Sequence, residues 1–120
     1  MVIAYWIVAG LAALVFLAAG LMKLAQPKEK LKASLPWTED FSATAIKLIG
    51  LAEVLGAIGL IVPMLTGILP ILSPIAGIGL AVLMIGAAIT HIRRKEPPIP
   101  FALAVLAAAA AVLGFLVLAD

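Results

Sequence analysis

Four long apolar segments constrain the fold of this chain more than any other feature. Each has about 18 residues or more, which as a helix is enough to cross a hydrocarbon core about 30 Å thick. Of all residues, 66% are hydrophobic and 12% are charged, whereas a soluble domain has about half and about a quarter. The sequence therefore predicts an all-α polytopic membrane protein, a single domain built as a four-transmembrane-helix bundle. The predicted helices cover about residues 2–22, 43–62, 75–92 and 99–119.

Most basic residues lie in two of the predicted connections. Seven of the eight Lys and Arg residues fall within residues 23–42 or 91–98, and the connection over residues 63–74 has no charge. Short loops rich in Lys and Arg stay on the cytoplasmic side. We therefore expect residues 23–42 and 91–98 to be cytoplasmic, both termini to be outside, and the protein to lie in the cell inner (plasma) membrane. Basic residues at membrane boundaries give no indication of a nucleic-acid partner.

The first connection contains a predicted interfacial helix. "PKEKLKAS" begins with Pro27, which suits the first position of a helix, and places Leu31 and Leu35 toward the membrane. The aromatic residues of the following "LPWTEDF" lie at a depth where aromatic side chains anchor a protein. Ser42 or Thr44 is expected to cap the second transmembrane helix.

One ionisable side chain is predicted to lie deep in the membrane. Glu53 is about 15 Å into its helix at 1.5 Å per residue, where a charged carboxylate costs at least about 2.5 kcal/mol unless it is paired or protonated. Lys47 falls on a different face of that helix and is expected to reach the interface. Lys23, at the end of the first span, and His91, beside Thr90 at the end of the third, are the candidate partners.

This predicted polar core leaves two alternatives open. It is either a hydrogen-bonded clasp between helices or a binding site for a ligand or proton, since ionisable residues inside membranes are functional candidates. Close helix packing is expected at small residues, namely Gly20, Gly56, Gly59, Gly79 and Gly86.

The composition excludes several kinds of chemistry. The chain has no cysteine, which rules out thiolate nucleophiles, iron–sulfur ligation and cysteine-based zinc sites. One histidine and one deep carboxylate fall short of the three or four ligands of a metal site, and His91 alone is a single axial ligand for haem. We therefore predict no metal and no catalytic residue, and favour a protein without catalytic activity of its own.

Three segments resemble the DoxX-like family of small bacterial membrane proteins. They are "AAGLMKLAQP", "LIGLAEVLGAIGLIVP" and "LMIGAAITHIRRKE", and the resemblance covers nearly the whole chain. It implies a four-helix membrane bundle, and by position Lys23, Glu53 and His91 match the family's recurrent polar residues. The name-giving members are subunits associated with thiosulfate and quinol oxidation.

Three functional hypotheses follow from the residues and the resemblance. The leading one is an accessory or assembly subunit of a membrane, redox-associated complex, with a membrane-protein partner in the lipid bilayer. The second is a quinone- or lipid-binding redox subunit with a polar site at Glu53 and quinone as its cofactor. The third is a proton-coupled small-molecule transporter, which would normally be a homodimer because four helices rarely enclose a pathway alone. A quinone bound beside Glu53 would support the second hypothesis, and a tightly packed bundle without a cavity would count against it.

Overall fold

The computed structural model covers residues 1–120; it consists of helices joined by short connections and has no strands. Four of its helices are long and apolar enough to cross a membrane, which confirms the predicted all-α four-span architecture. The elements in chain order are α1 (Val2–Ala25), α2 (Lys28–Ser34), a 3₁₀-helix (Pro36–Asp40), α3 (Ala43–Thr66), α4 (Leu72–Arg93) and α5 (Ile99–Ala119).

The four long helices form a ring. α1 packs mainly against α3 and α4 mainly against α5, and contacts between α3 and α4 and between α1 and α5 close the ring. α1 and α4 end at the same side of the bundle on which α3 and α5 begin. We call this side the charged end, because it carries the first and third connections and nearly all ionisable side chains.

Each long helix buries one narrow stripe of residues spaced three and four apart, the spacing that keeps side chains on one helix face. Small residues fill much of these stripes and let the backbones approach closely. Lys23 and Glu53 belong to the stripes of α1 and α3, so their positions alone point them into the bundle. The two stripes are Tyr5, Ala9, Ala12, Phe16, Gly20 and Lys23, and Ile46, Gly50, Glu53, Ala57 and Leu60.

α1 and α3 approach most closely near the charged end, at Gly20 and Gly50. A Cβ atom added to Gly20 would lie 2.6 Å from the Gly50 carbonyl oxygen, and one on Gly50 would lie 2.9 Å from the Gly20 carbonyl oxygen. Both obstacles are backbone atoms, which cannot move aside as a flexible side chain can. The two glycines therefore set the distance between α1 and α3 at the level of Lys23.

Of the other four predicted packing glycines, two lie close to a neighbouring helix and two do not. Gly56 and Gly59 lie against α4, where an added Cβ would come within 2.8 Å or less of Leu80 or Ala76 side-chain atoms. Around Gly79 and Gly86 an added Cβ would meet no atom within 4 Å. The sequence prediction of close packing at these two positions is therefore wrong, because both lie beside open space.

The second connection is shorter than predicted, because α3 continues through Pro63 to Thr66 and α4 begins at Leu72. A proline inside a helix leaves the carbonyl four residues earlier without its backbone donor. Here the Ser73 hydroxyl of α4 donates to the Gly59 carbonyl oxygen at 2.8 Å, the group that Pro63 leaves free. A side chain of the neighbouring helix thus replaces the missing hydrogen bond and allows α3 to continue.

The same turn of α3 is held from both sides. Ser73 Oγ also accepts a hydrogen bond from the Met64 backbone N–H at 3.1 Å. From α1, the buried Tyr5 hydroxyl donates to the Leu60 carbonyl oxygen. This polar contact fixes α1, α3 and α4 to one another at the end opposite the charged end.

The first connection contains the predicted short helix. Leu31 is fully buried and Leu35 is partly buried under it. Pro27 occupies the position just before α2 rather than its first turn. Of the two cap candidates, Ser42 caps α3, accepting from the Ala45 backbone N–H at 3.0 Å. The 3₁₀-helix that follows α2 was not predicted, and it brings the aromatic part of the connection over the bundle.

Candidate functional site

An ion pair lies between α1 and α3 below the charged end. Lys23 Nζ donates to Glu53 Oε1 at 2.6 Å, and the two side chains are only 8% and 2% exposed. Both are members of the buried stripes, and no other Lys, Arg, His, Asp or Glu side chain is as enclosed. The structure therefore brings together the two residues that the sequence singled out.

The direction of helical side chains explains why the pair can form. A side chain in an α-helix leans toward the N-terminus of its helix. Lys23 lies two residues before the end of α1, so its stem leans away from the charged end and into the bundle. Glu53 lies near the middle of the antiparallel α3, so its carboxylate leans toward the charged end. The two side chains converge although their backbones lie at different depths.

Lys47 has a role that the sequence did not predict. Its ammonium donates to the carbonyl oxygens of Lys23, Leu24 and Gln26 at 2.9, 2.8 and 2.9 Å. The last carbonyls of a helix have no intrahelical donors, and a cation there also offsets the negative end of the helix dipole. Lys47 thus caps α1 directly beside Lys23 instead of extending freely to the interface.

A cavity of about 490 Å³ adjoins the ion pair. All four long helices and the first connection contribute to its wall, which is mostly apolar. Its polar side chains are Lys23, Glu53, Thr90 and His91, so the structure places every predicted polar-core residue around one space. A second groove, of about 510 Å³, lies between α3 and α4 around Gly79 and has no ionisable residue in its lining.

Trp37 of the 3₁₀-helix forms part of the cavity wall and links its polar residues. Its ring centroid is 5.8 Å from Lys23 Nζ, within the range of a cation–π contact. The same ring lies 6.3 Å from the His91 ring and 5.5 Å from the Phe41 ring, centroid to centroid. The sequence predicts the aromatic residues of this connection only as membrane anchors, because nothing local indicates that the connection folds back over the bundle.

His91 has one free ring nitrogen. Its Nδ1 lies 2.9 Å from the Ala87 carbonyl oxygen, and a carbonyl oxygen can only accept. Nδ1 therefore carries the hydrogen, and in the neutral ring Nε2 is a hydrogen-bond acceptor. Thr90 donates its hydroxyl hydrogen to the Gly86 carbonyl oxygen at 3.1 Å, so its remaining capacity is also that of an acceptor.

Glu53 likewise has an oxygen that the protein leaves unused. Oε1 accepts from Lys23, and Oε2 has no hydrogen bond with any protein group. No fully buried side-chain oxygen or nitrogen lacks a partner. Oε2 must therefore retain some exposed surface, and the cavity is the space that Glu53 lines.

Arg94 fastens the first connection to the end of α4. Its guanidinium donates to Asp40 Oδ2 at 2.7 Å, to Glu39 Oε1 at 2.9 Å and to Glu96 Oε1 at 2.8 Å. Hydrogen bonds to Asp40, Glu96 and Glu39 raise the pKa of Arg94 above its already high ordinary value, so it stays charged. These contacts hold the 3₁₀-helix, and with it Trp37, over the cavity.

Comparison with known proteins identifies the family. The sequence model of the DoxX-like family matches residues 7–114 of this chain of 120 residues. The chain belongs to the DoxX-like family. The matched range includes Lys23, Glu53 and His91, so the resemblance seen in the sequence is confirmed. No curated protein and no solved structure matches this DoxX-like protein.

The site of this DoxX-like protein offers hydrogen bonding and charge rather than a metal centre. No group of three or more His, Cys, Asp or Glu side chains is close enough to hold a metal ion. What the cavity provides is one ammonium group, one indole N–H, three acceptor side chains and a mostly apolar wall. Such a surface can hold a molecule with a compact polar head and an apolar remainder.

Proposed function

We propose that this DoxX-like protein binds a lipid-soluble molecule with a polar head, of the quinone or lipid class, in the cavity beside Lys23 and Glu53. The observation that carries the proposal is the cavity of about 490 Å³ next to a buried ion pair in a membrane-spanning bundle. Ligand pockets commonly measure about 300–1,000 Å³, with mostly apolar walls and a few polar groups.

A purely structural clasp does not account for this space. The residues around an ion pair that only joins two helices should pack as closely as those elsewhere in a protein interior, because interiors leave few voids larger than a water molecule. α1 and α3 do pack closely at Gly20 and Gly50, next to Ala19 and Ile49 of the cavity lining. The space of about 490 Å³ has the polar side chains in its wall, whereas the groove around Gly79 has no ionisable side chain. This difference supports binding at the polar side chains rather than clasping alone.

The two kinds of lining suit the two parts of such a ligand. The polar head would lie against Lys23, Glu53 and His91, and the apolar part against side chains such as Met84 and Leu103. The accessory role predicted from the sequence fits this proposal, since a subunit can hold a ligand for a membrane-protein partner. The homodimer and the proton-coupled transporter remain predictions without a specific structural observation in their favour.

Tryptophan fluorescence offers a direct test, because the chain has two tryptophans at different depths. Trp37 lines the cavity. Trp6 lies about 25 Å from Lys23 along the axis of α1, at 1.5 Å per residue, and is therefore far from the cavity. The Trp6→Phe variant in lipid nanodiscs would be titrated with tetramethyl-p-benzoquinone, a quencher of tryptophan emission. Saturable quenching is expected. In the Trp37→Phe variant the emission comes from Trp6. It should decrease only linearly with quinone concentration, as expected for quenching by quinone dissolved in the lipid.

Filling the cavity provides a matched pair of variants in the Trp6→Phe background. Gly86 lines the cavity and has room for a side chain, and Gly10 has equal room but does not line it. Four added carbon atoms at about 30 Å³ each, the volume of a liquid water, would fill roughly a quarter of the space. Gly86→Leu should weaken saturable quenching at least tenfold and Gly10→Leu should leave it unchanged. Equal quenching in both variants, or none that saturates, would refute the proposal.

A further inference from the structure

The unused hydrogen-bonding atoms around the cavity are mainly acceptors. Glu53 Oε2 has no partner in the protein. In the neutral ring of His91, whose Nδ1 donates to Ala87, Nε2 is a hydrogen-bond acceptor. Thr90 has already donated its only hydrogen to Gly86. The donor groups in the lining are the Lys23 ammonium, which uses one of its hydrogens on Glu53, and the indole N–H of Trp37.

The wall of the cavity is also aromatic at the level of these atoms. Trp37, Phe41 and His91 line it together, with Trp37 between the other two rings and over the Lys23 ammonium. Rings of this kind stack face to edge or offset against other flat rings. A planar aromatic head could therefore contact both this wall and the acceptors beside it.

From these two observations we infer that the ligand head is an aromatic ring that carries hydroxyl groups, and that a hydroquinone binds more tightly than the corresponding quinone. This inference rests on the proposed function and adds the chemical form of the ligand. A hydroquinone has two O–H groups, each able to donate to Glu53 or His91 and to accept from Lys23. A quinone has carbonyl oxygens only, so it can accept from Lys23 but leaves both protein acceptors without a donor.

The size of the preference follows from the cost of unpaired polar groups. A ligand that covers an acceptor without supplying a donor removes its access to water and leaves it unsatisfied, which is expensive in an apolar setting. A binding site whose groups accept hydrogen bonds from a ligand O–H discriminates strongly against analogues that lack that hydrogen. We expect the hydroquinone to bind at least about tenfold more tightly than the quinone or the methylated hydroquinone.

The experiment compares three ligands with the same ring, in anaerobic nanodiscs that contain the Trp6→Phe variant. They are tetramethylhydroquinone, tetramethyl-p-benzoquinone and 1,4-dimethoxytetramethylbenzene, whose oxygens carry methyl groups in place of hydrogens. The two colourless ligands are measured by their competition with quinone quenching of Trp37. The result expected is displacement by the hydroquinone at a concentration at least tenfold below that needed by the dimethoxy compound.

His91 variants show whether the preference comes from the proposed acceptors. His91→Leu removes the ring nitrogen and should reduce hydroquinone affinity about tenfold without changing the affinity for the dimethoxy compound. His91→Gln keeps a carbonyl oxygen near the position of Nε2 and should restore most of the preference. Equal affinity for all three ligands would overturn the inference but not the proposed function, whereas no saturable quenching by any quinone would overturn both.

Discussion

Breaking the buried ion pair should cost far more stability when one partner is removed than when both are. Lys23→Met leaves the Glu53 carboxylate, whose side chain is 2% exposed, without a cation. Removing one partner of a buried pair typically costs about 3–5 kcal/mol, and replacing both by apolar groups of similar volume is often close to neutral. We expect the double variant Lys23→Met, Glu53→Leu to have a free energy of unfolding within about 1 kcal/mol of the original protein.

The two single variants should also differ from each other. The Lys23 side chain has a long flexible stem and lies two residues before the end of α1, so without Glu53 its ammonium can turn toward the charged end. Glu53 is near the middle of α3, and its shorter side chain cannot turn its carboxylate to the charged end. Lys23→Met should therefore be the more destabilising single change. The measurement is the free energy of unfolding in mixed micelles titrated with sodium dodecyl sulfate.

An exposed ion pair of the same chain provides the control. Lys32 and Glu29 on α2 lie 3.5 Å apart with side chains 40% and 82% exposed, and such surface pairs contribute about 0.5 kcal/mol or less. A coupling energy for Lys23 and Glu53 as small as the one for this pair would refute the reasoning. A double variant that is stable but no longer shows saturable quenching of Trp37 would separate the structural from the binding role of the pair.

Three further predictions concern the elements that position the site. Gly20→Ala should destabilise the protein by about 1–3 kcal/mol, because the added methyl overlaps backbone of α3; Gly10→Ala, in open space, is the control, and equal stability of the two would contradict this packing. Ser73→Ala should lower the free energy of unfolding by about 1–3 kcal/mol, since the Gly59 carbonyl next to Pro63 loses its donor; an unchanged value would show that another group replaces it. Arg94→Gln, in the Trp6→Phe background, should lower the fluorescence anisotropy of Trp37 by releasing the 3₁₀-helix. High salt should also lower the anisotropy of Trp37 when Arg94 is present, because salt screens its exposed ion pairs. An anisotropy that Arg94→Gln leaves unchanged would show that Arg94 does not hold the 3₁₀-helix in place.

The polar residues of the site could be predicted in identity but not in arrangement. Lys23, Glu53 and His91 stand out because an ionisable residue within or at the edge of an apolar segment is costly and therefore conspicuous. Nothing in the sequence says that Lys47 caps α1 or that Trp37 lies over Lys23. Both contacts join residues that are distant along the chain, and they depend on how the first connection folds back.

The sequence by itself determined the four membrane spans, the charged end and the stripes that turn Lys23 and Glu53 inward. These features depend on segment length, bilayer thickness and helical periodicity, all of which act locally along the chain. Only the tertiary structure decided that α3 continues through Pro63 and that open space, rather than close packing, surrounds Gly86. The physical reason is that a missing hydrogen bond or an unfilled volume depends on what the neighbouring helices supply, and that is fixed only when the helices assemble.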